Sequence, residues 1–73
     1  MGQSEVARLR RQIEDEYQAM KLGLSGFSWG TAKHDFIQAR MRRVDLYHEQ
    51  LARQVGEKEA TSTIYDLYTQ IIG

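Results

Sequence analysis

Apolar side chains in this sequence recur at intervals of three and four residues, the period of an α-helix. The most regular run has the spacing 4-3-4-3-4 and consists of Ile37, Met41, Val44, His48, Leu51 and Val55. Such a repeat places its members along one side of a helix, facing a packing partner. Because the run covers fewer than three heptads, it predicts a helix packed against neighbours and not a long coiled coil.

Glycines divide the periodic pattern into three predicted helices, at residues 4-22, 31-55 and 58-72. Ser4 suits the N-cap of the first helix, and Gly23 is its expected end. Gly56 separates the second helix from the third, because the apolar register breaks there. The chain has no proline and shows no β-branched alternation, so no strand is predicted. We therefore expect an all-α fold, a long antiparallel helical hairpin with a short C-terminal helix packed against it.

The length of the chain, 73 residues, accommodates one domain at most, here residues 1-73. A core of that size supplies about 3–5 kcal/mol, and small domains usually gain further stability from disulfides, metals or self-association. The sequence contains no cysteine, which excludes disulfides and thiolate zinc sites. Self-association is left as the expected source, and we predict a homodimeric helical bundle.

The C-terminal helix carries more apolar surface than its two neighbours can cover. At about 100° per residue, its apolar residues span about 160°, whereas those of the first helix span about 80°. The residues predicted at an interface are Phe36, Tyr47, Ile64, Tyr65, Leu67, Tyr68, Ile71 and Ile72. The sequence thus favours a small non-enzymatic interaction module, an adaptor, subunit or regulator, that self-associates through its C-terminal helix. Another protein is an alternative partner.

Two aromatic residues, Phe27 and Trp29, lie in the glycine-rich connector GLSGFSWG at residues 23-30. They could fold inwards and close the end of the core, or form an exposed tip that inserts into a partner. Leaving either ring in water forgoes about 1.5–3 kcal/mol, so we favour the buried plug. The full set of predicted core or plug residues is Phe27, Trp29, Ile37, Met41, Val44, His48 and Leu51.

Ten basic and ten acidic residues give a formal net charge of zero, so the chain has no overall attraction to nucleic acid or to an anionic membrane. Two arginine clusters nevertheless define an alternative, a nucleic-acid-binding regulator. They are Arg8, Arg10 and Arg11 on the first helix and Arg40, Arg42 and Arg43 on the second. The predicted contacts are Arg8, Arg11, Arg42 and Arg43. Carboxylates three or four residues away favour a self-paired surface, and we do not expect nucleic acid as the partner.

A second alternative is a metal-binding bundle of carboxylates and histidine. Asp45 precedes His48 by three residues, the spacing that four-helix carboxylate proteins use for paired metals. However, the usual site needs further inward glutamates, and a histidine in a helix seam is more often a packed residue that fixes register. We therefore predict no metal and no cofactor.

Catalytic and targeting motifs do not occur in the sequence. There is no nucleophile elbow, phosphate-binding glycine loop or HExxH motif, and a small helical hairpin leaves little volume for an active site. No apolar run approaches the about 20 residues that span a bilayer, and the charged N-terminus lacks a signal-peptide core. We predict a cytoplasmic protein without enzymatic activity and without a membrane partner.

Overall fold

The chain folds into three α-helices that pack together, as described by a computed structural model for residues 2–26 and 30–73. The helices are α1 (Gly2–Gly26), α2 (Gly30–Val55) and α3 (Glu57–Ile71), and these residues include no β-strand. The predicted all-α class is confirmed. The two connector aromatics, Phe27 and Trp29, lie outside the described residues.

The two long helices run the length of the molecule. Its extents are 42 Å along the long axis and 19 Å in both other directions. At a rise of about 1.5 Å per residue, a helix the length of α2 measures about 39 Å and one the length of α3 about 22 Å. The third helix therefore covers little more than half of the surface that α1 and α2 offer.

All three helices contribute to the buried core. Its apolar members are Leu9, Ile13, Tyr17, Met20, Val44, Leu51, Ala60 and Leu67. Half of them come from α1, where their spacing places them on one stripe that faces both other helices. Fully burying a side chain the size of leucine or tyrosine contributes about 1.5–3 kcal/mol, from which the entropy cost of ordering the chain is subtracted.

Both ends of α1 differ from the prediction. The helix begins at Gly2, so Ser4 is not its N-cap, and it continues past Gly23 to Gly26. Gly23 is buried, and a Cβ atom at this position would lie 2.7 Å from Cδ2 of Phe36 on α2. This glycine lets two helices approach closely and does not stop the helix.

Gly56 separates α2 from α3, as the sequence predicts. Its φ of 95° lies in the left-handed region, which glycine adopts without steric cost. The change of direction is held by two backbone hydrogen bonds. The Gly56 amide donates to the Ala52 carbonyl at 2.8 Å, and the Ala60 amide donates to the Gly56 carbonyl at 3.0 Å.

Three described residues of the predicted core lie at its edge, and Ile37, one of them, is partly buried. Met41 is 38% exposed, and the His48 side chain is partly exposed beside α3. The most buried positions of α2 are Val44 and Leu51, whereas Met41 and His48 lie about 40–80° further round the helix, at roughly 100° per residue. Leu67 was predicted at an interface between chains, but it belongs to the core of the single chain, where it is 1% exposed.

Candidate interaction surface

Two exposed aromatic side chains lie on the same part of α3. Tyr65 is 69% exposed and Tyr68 is 44% exposed, although both are large and partly apolar. With two partly buried residues they form a row of spacing 4-3-4, which we call the α3 stripe: Thr61, Tyr65, Tyr68 and Ile72. At about 100° per residue, the row is about 60° wide and lies well away from the buried row of α3.

Tyr68 is held in place by a ring of the core. Its ring meets that of Tyr17 edge to face, with the centroids 5.6 Å apart and the planes at 84°. Such a pair contributes about 0.5–1.5 kcal/mol beyond the area that it buries. Tyr17 is fully buried and belongs to α1. The side of the Tyr68 ring that faces the core is therefore held in contact with it, while the outer part of the ring stays in solvent. Tyr65 makes no ring contact within the described chain.

The pKa of the buried Tyr17 hydroxyl depends on the groups around this tyrosine pair. Burial raises the pKa of Tyr17, and the neighbouring Tyr68 and Asp45 raise it further. An anion disfavours the formation of a second negative charge nearby, which is why the Asp45 carboxylate acts in this direction. Asp45 is an exposed residue of α2, so this helix also lies near the Tyr17 ring.

His48 borders the stripe near its first residue. Its Nε2 atom lies 3.3 Å from Oγ1 of Thr61 and 3.7 Å from Oε1 of Glu57. The histidine therefore joins α2 to the first turns of α3. Within residues 2–26 and 30–73, no group of three or more histidine, aspartate or glutamate side chains could hold a metal ion. The Asp45 and His48 pair accordingly finds no third ligand there.

Several of the predicted nucleic-acid contacts are engaged with carboxylates. The Nε atom of Arg8 donates to Oε1 of Glu5 at 3.1 Å, and this hydrogen bond lowers the pKa of Glu5. Arg43 approaches Glu16, with 3.6 Å between Nη1 and Oε2. Arg10, Arg11 and Arg42 are exposed. The predicted contacts Arg8 and Arg11 are three residues apart and lie on neighbouring positions of α1, but the guanidinium of Arg8 is held by Glu5.

Glu16 is a buried charge that the sequence analysis did not identify. Its side chain is 8% exposed and lies between two arginines of α2, with 3.0 Å between its Oε1 atom and Nη1 of Arg40. Neither that oxygen nor the buried Nε of Arg40 makes a well-aligned hydrogen bond in the described residues, so the contact is mainly one of charge. The guanidinium of Arg40 also lies 5.5 Å from the ring centroid of Phe36. This cluster joins α1 to α2.

Two further predicted interface residues serve the contact between helices of one chain. Phe36 lies against Gly23 and Arg40, and Tyr47 packs on the edge of the core. Both are half-buried. The exposed leucines Leu22, Leu24 and Leu46 belong to α1 and α2 and not to the α3 stripe, and single apolar side chains on a surface are usual. Only α3 presents neighbouring exposed aromatic residues in the described ranges.

Comparison with known proteins gives no match. No family model matches the chain, and no curated protein or solved structure is detectably similar to it. None of the helices that the structure describes combines the length and the apolar character needed to cross a membrane.

Proposed function

We propose that this protein is a small non-enzymatic interaction module that self-associates through α3. The observation that carries the proposal is the exposure of Tyr65 and Tyr68 on a single stripe. Tyrosine combines a large apolar ring with a polar tip and is enriched among the residues that anchor interfaces. A row of such side chains in solvent is best explained by a partner that covers it.

The same proposal includes a helical hairpin that supports α3. Gly23 of α1 meets Phe36 of α2, and Glu16 further back on α1 meets Arg40 further along α2. Residue numbers thus fall on one helix as they rise on the other, which supports an antiparallel arrangement. Residues 2–26 and 30–55 then form a rigid two-helix platform for the α3 stripe.

The surface area of the single chain also supports self-association. A folded monomer of 8.5 kDa is expected to expose about 4,650 Å², and this chain exposes 5135 Å². The excess is about a tenth of the expected surface, less than the about 800 Å² that each partner loses in a protein interface of standard size. Association through one face would remove it.

The non-enzymatic part of the proposal is supported by the side chains that line a surface depression. An open depression of about 510 Å³ lies where α2 meets α3, lined by Val55, Gly56 and the first turns of α3. Its polar residues are Glu57, Lys58, Glu59 and Ser62. Within the described chain Ser62 has no hydrogen-bonded base, and an activated nucleophile requires one.

The test compares two variants that add the same charge to α3. Tyr65→Glu places a carboxylate in the stripe, whereas Gln70→Glu places one on an exposed position about 140° away. Light scattering over a range of concentrations should give twice the mass of one chain for the wild type and for Gln70→Glu, and one mass for Tyr65→Glu. Circular dichroism of both variants controls for folding.

The outcomes separate clearly. A wild-type protein that stays monomeric throughout the concentration range would refute self-association. A Tyr65→Glu variant that keeps the dimer mass would place the interface elsewhere. Leu67→Glu is unsuitable for this purpose, because Leu67 belongs to the core of the single chain and its replacement would unfold the protein.

A further inference from the structure

We infer that the second copy packs antiparallel on α3, about a two-fold axis between Tyr65 and Tyr68. Tyr65 of each copy then lies against the partner's Tyr68, and Thr61 against the partner's Ile72. The inference rests on the proposed self-association and adds the partner's orientation and register.

The spacing of the stripe permits this pairing. Read from either end, Thr61, Tyr65, Tyr68 and Ile72 show the same intervals of four, three and four residues. A two-fold axis pairs each surface patch with itself in the reverse sense, so residue i contacts residue j and j contacts i. A stripe that reads the same in both directions is therefore complementary to its own reversed copy.

The charge pattern of α3 permits a second copy at this surface. Between Ala60 and Ile72 the only charged residue is Asp66, which lies about 100° from Tyr65. Identical helices that meet around a two-fold axis therefore bring no like charges together along the stripe. A strongly charged partner would gain little from the same surface, because the stripe offers it no opposite charge.

Lys58 selects the antiparallel orientation. It is exposed and precedes Tyr65 by one heptad, so it continues the row of the stripe towards the start of α3. In a parallel pair it would face the partner's Lys58 directly. In an antiparallel pair it extends past the partner's Ile72, to the C-terminal end of that helix.

The C-terminal end of α3 suits such a cation. Its last turn contains no basic residue, so nothing in that turn balances the negative end of the helix dipole. Carbonyl groups of a last helical turn lack partners within the helix and accept hydrogen bonds from lysine. An antiparallel dimer provides this cation twice, once at each end of the contact.

Disulfide trapping tests the orientation, and the absence of cysteine makes it straightforward. Two single variants, Thr61→Cys and Ile72→Cys, are mixed in equal amounts, one of them labelled with nitrogen-15 so that each disulfide species has its own mass. Under mild oxidation we expect the mixed disulfide in clear excess over the share that random pairing gives, because facing residues lie within reach of a disulfide. Ser62→Cys, next to the stripe and exposed, is the matched control and should not cross-link.

The alternatives give different products. Disulfides of each variant with itself would show a parallel pair and overturn the inference. A dimer mass without either product would place the interface outside the α3 stripe and also overturn it. A monomer mass for the unmodified protein would instead overturn the proposed self-association.

Lys58→Glu provides a second measurement that does not depend on cysteine. A carboxylate in the first turn of α3 favours the helix of the single chain, but in the antiparallel dimer it meets the negative end of the partner's helix. We expect dimerisation to weaken about 3- to 30-fold while the helical content stays unchanged. Equal or tighter dimerisation would contradict the antiparallel orientation.

Discussion

Gly23 of α1 lies directly against the ring of Phe36 of α2, at a separation that leaves no room for a Cβ atom. Glycine therefore fits at this helical position, although it lowers helix stability by about 1 kcal/mol relative to alanine. The close contact brings the two longest helices together at the end of the molecule that α3 does not reach.

Gly23→Ala should therefore destabilise the protein, although alanine has a higher helix propensity than glycine. Alanine at this site gains about 1 kcal/mol in helix propensity, but overpacking against an aromatic ring costs about 1–3 kcal/mol. We expect the free energy of unfolding in urea to fall by about 1 kcal/mol.

A double-mutant cycle with Phe36→Leu provides the control. In that background the ring is gone, so Gly23→Ala should be neutral or stabilising. A stabilising effect of Gly23→Ala in the wild-type background would show that the two helices can separate at this point without cost.

The buried Glu16 should be far more sensitive to the loss of Arg40 than of Arg43. The side chain of Arg43 is 57% exposed and its ion pair is long, whereas Arg40 is mostly buried and also contacts Phe36. Arg40→Met should lower the free energy of unfolding by about 1–3 kcal/mol, because it leaves the carboxylate poorly compensated. Arg43→Met is the matched control and should cost about 0–1 kcal/mol.

Glu16→Gln tests the same cluster from the other side. It keeps the shape of the side chain and removes the charge, so two arginines lose their common partner. We expect a loss of about 1–3 kcal/mol in chemical denaturation. If Arg40→Met and Arg43→Met lower the free energy of unfolding equally, the difference in burial between the two arginines does not determine the strength of their contacts with Glu16.

The arrangement of three helices follows from the apolar periodicity, but the cluster around Glu16 does not. Glu16 directly precedes Tyr17 and lies beside the apolar stripe of α1, where a charged residue is normally solvated. Its burial depends on Arg40 and Arg43, which reach it from another helix. Sequence spacing within α1 contains no information about that distant pair.

Gly23 and Leu67 show two further limits of sequence reasoning. A glycine after an apolar stripe has the same local pattern whether it ends a helix or admits a neighbouring ring. Likewise, the width of the apolar arc on α3 indicates surplus apolar surface but does not say which residues α1 and α2 cover. The structure buries Leu67 and leaves Tyr65 exposed, a division that depends on helix rotation in the bundle.

Truncation to alanine should consequently change the free energy of unfolding strongly at Leu67 and only slightly at Tyr65. Leu67→Ala removes a fully buried side chain and should lower the free energy of unfolding of the single chain by about 2–5 kcal/mol. Tyr65→Ala should change that stability by less than about 0.5 kcal/mol at concentrations where the protein is monomeric, because most of its side chain is in solvent. Urea denaturation of dilute samples makes the comparison, and a large loss for Tyr65→Ala would assign it to the core.

The buried tyrosine predicts a loss of stability at high pH. Burial and the neighbouring Tyr68 and Asp45 raise the pKa of Tyr17 above its ordinary value of 10.0 in the folded protein. Its neutral form is thus favoured by folding. This contribution to stability is complete below the ordinary pKa and is lost as the pH rises through the raised one.

Urea denaturation at a series of pH values from about 8 to 11 measures this loss, and Tyr17→Phe should reduce its slope because the ring is kept and the titrating hydroxyl is removed. Tyr65→Phe removes a hydroxyl from an exposed side chain and is the matched control. Phenolate absorbance should also show Tyr17 ionising above its ordinary pKa in the folded protein. If Tyr17→Phe loses stability as steeply as the wild type, the alkaline transition belongs to another group, and the Tyr17 hydroxyl is better solvated than its burial implies.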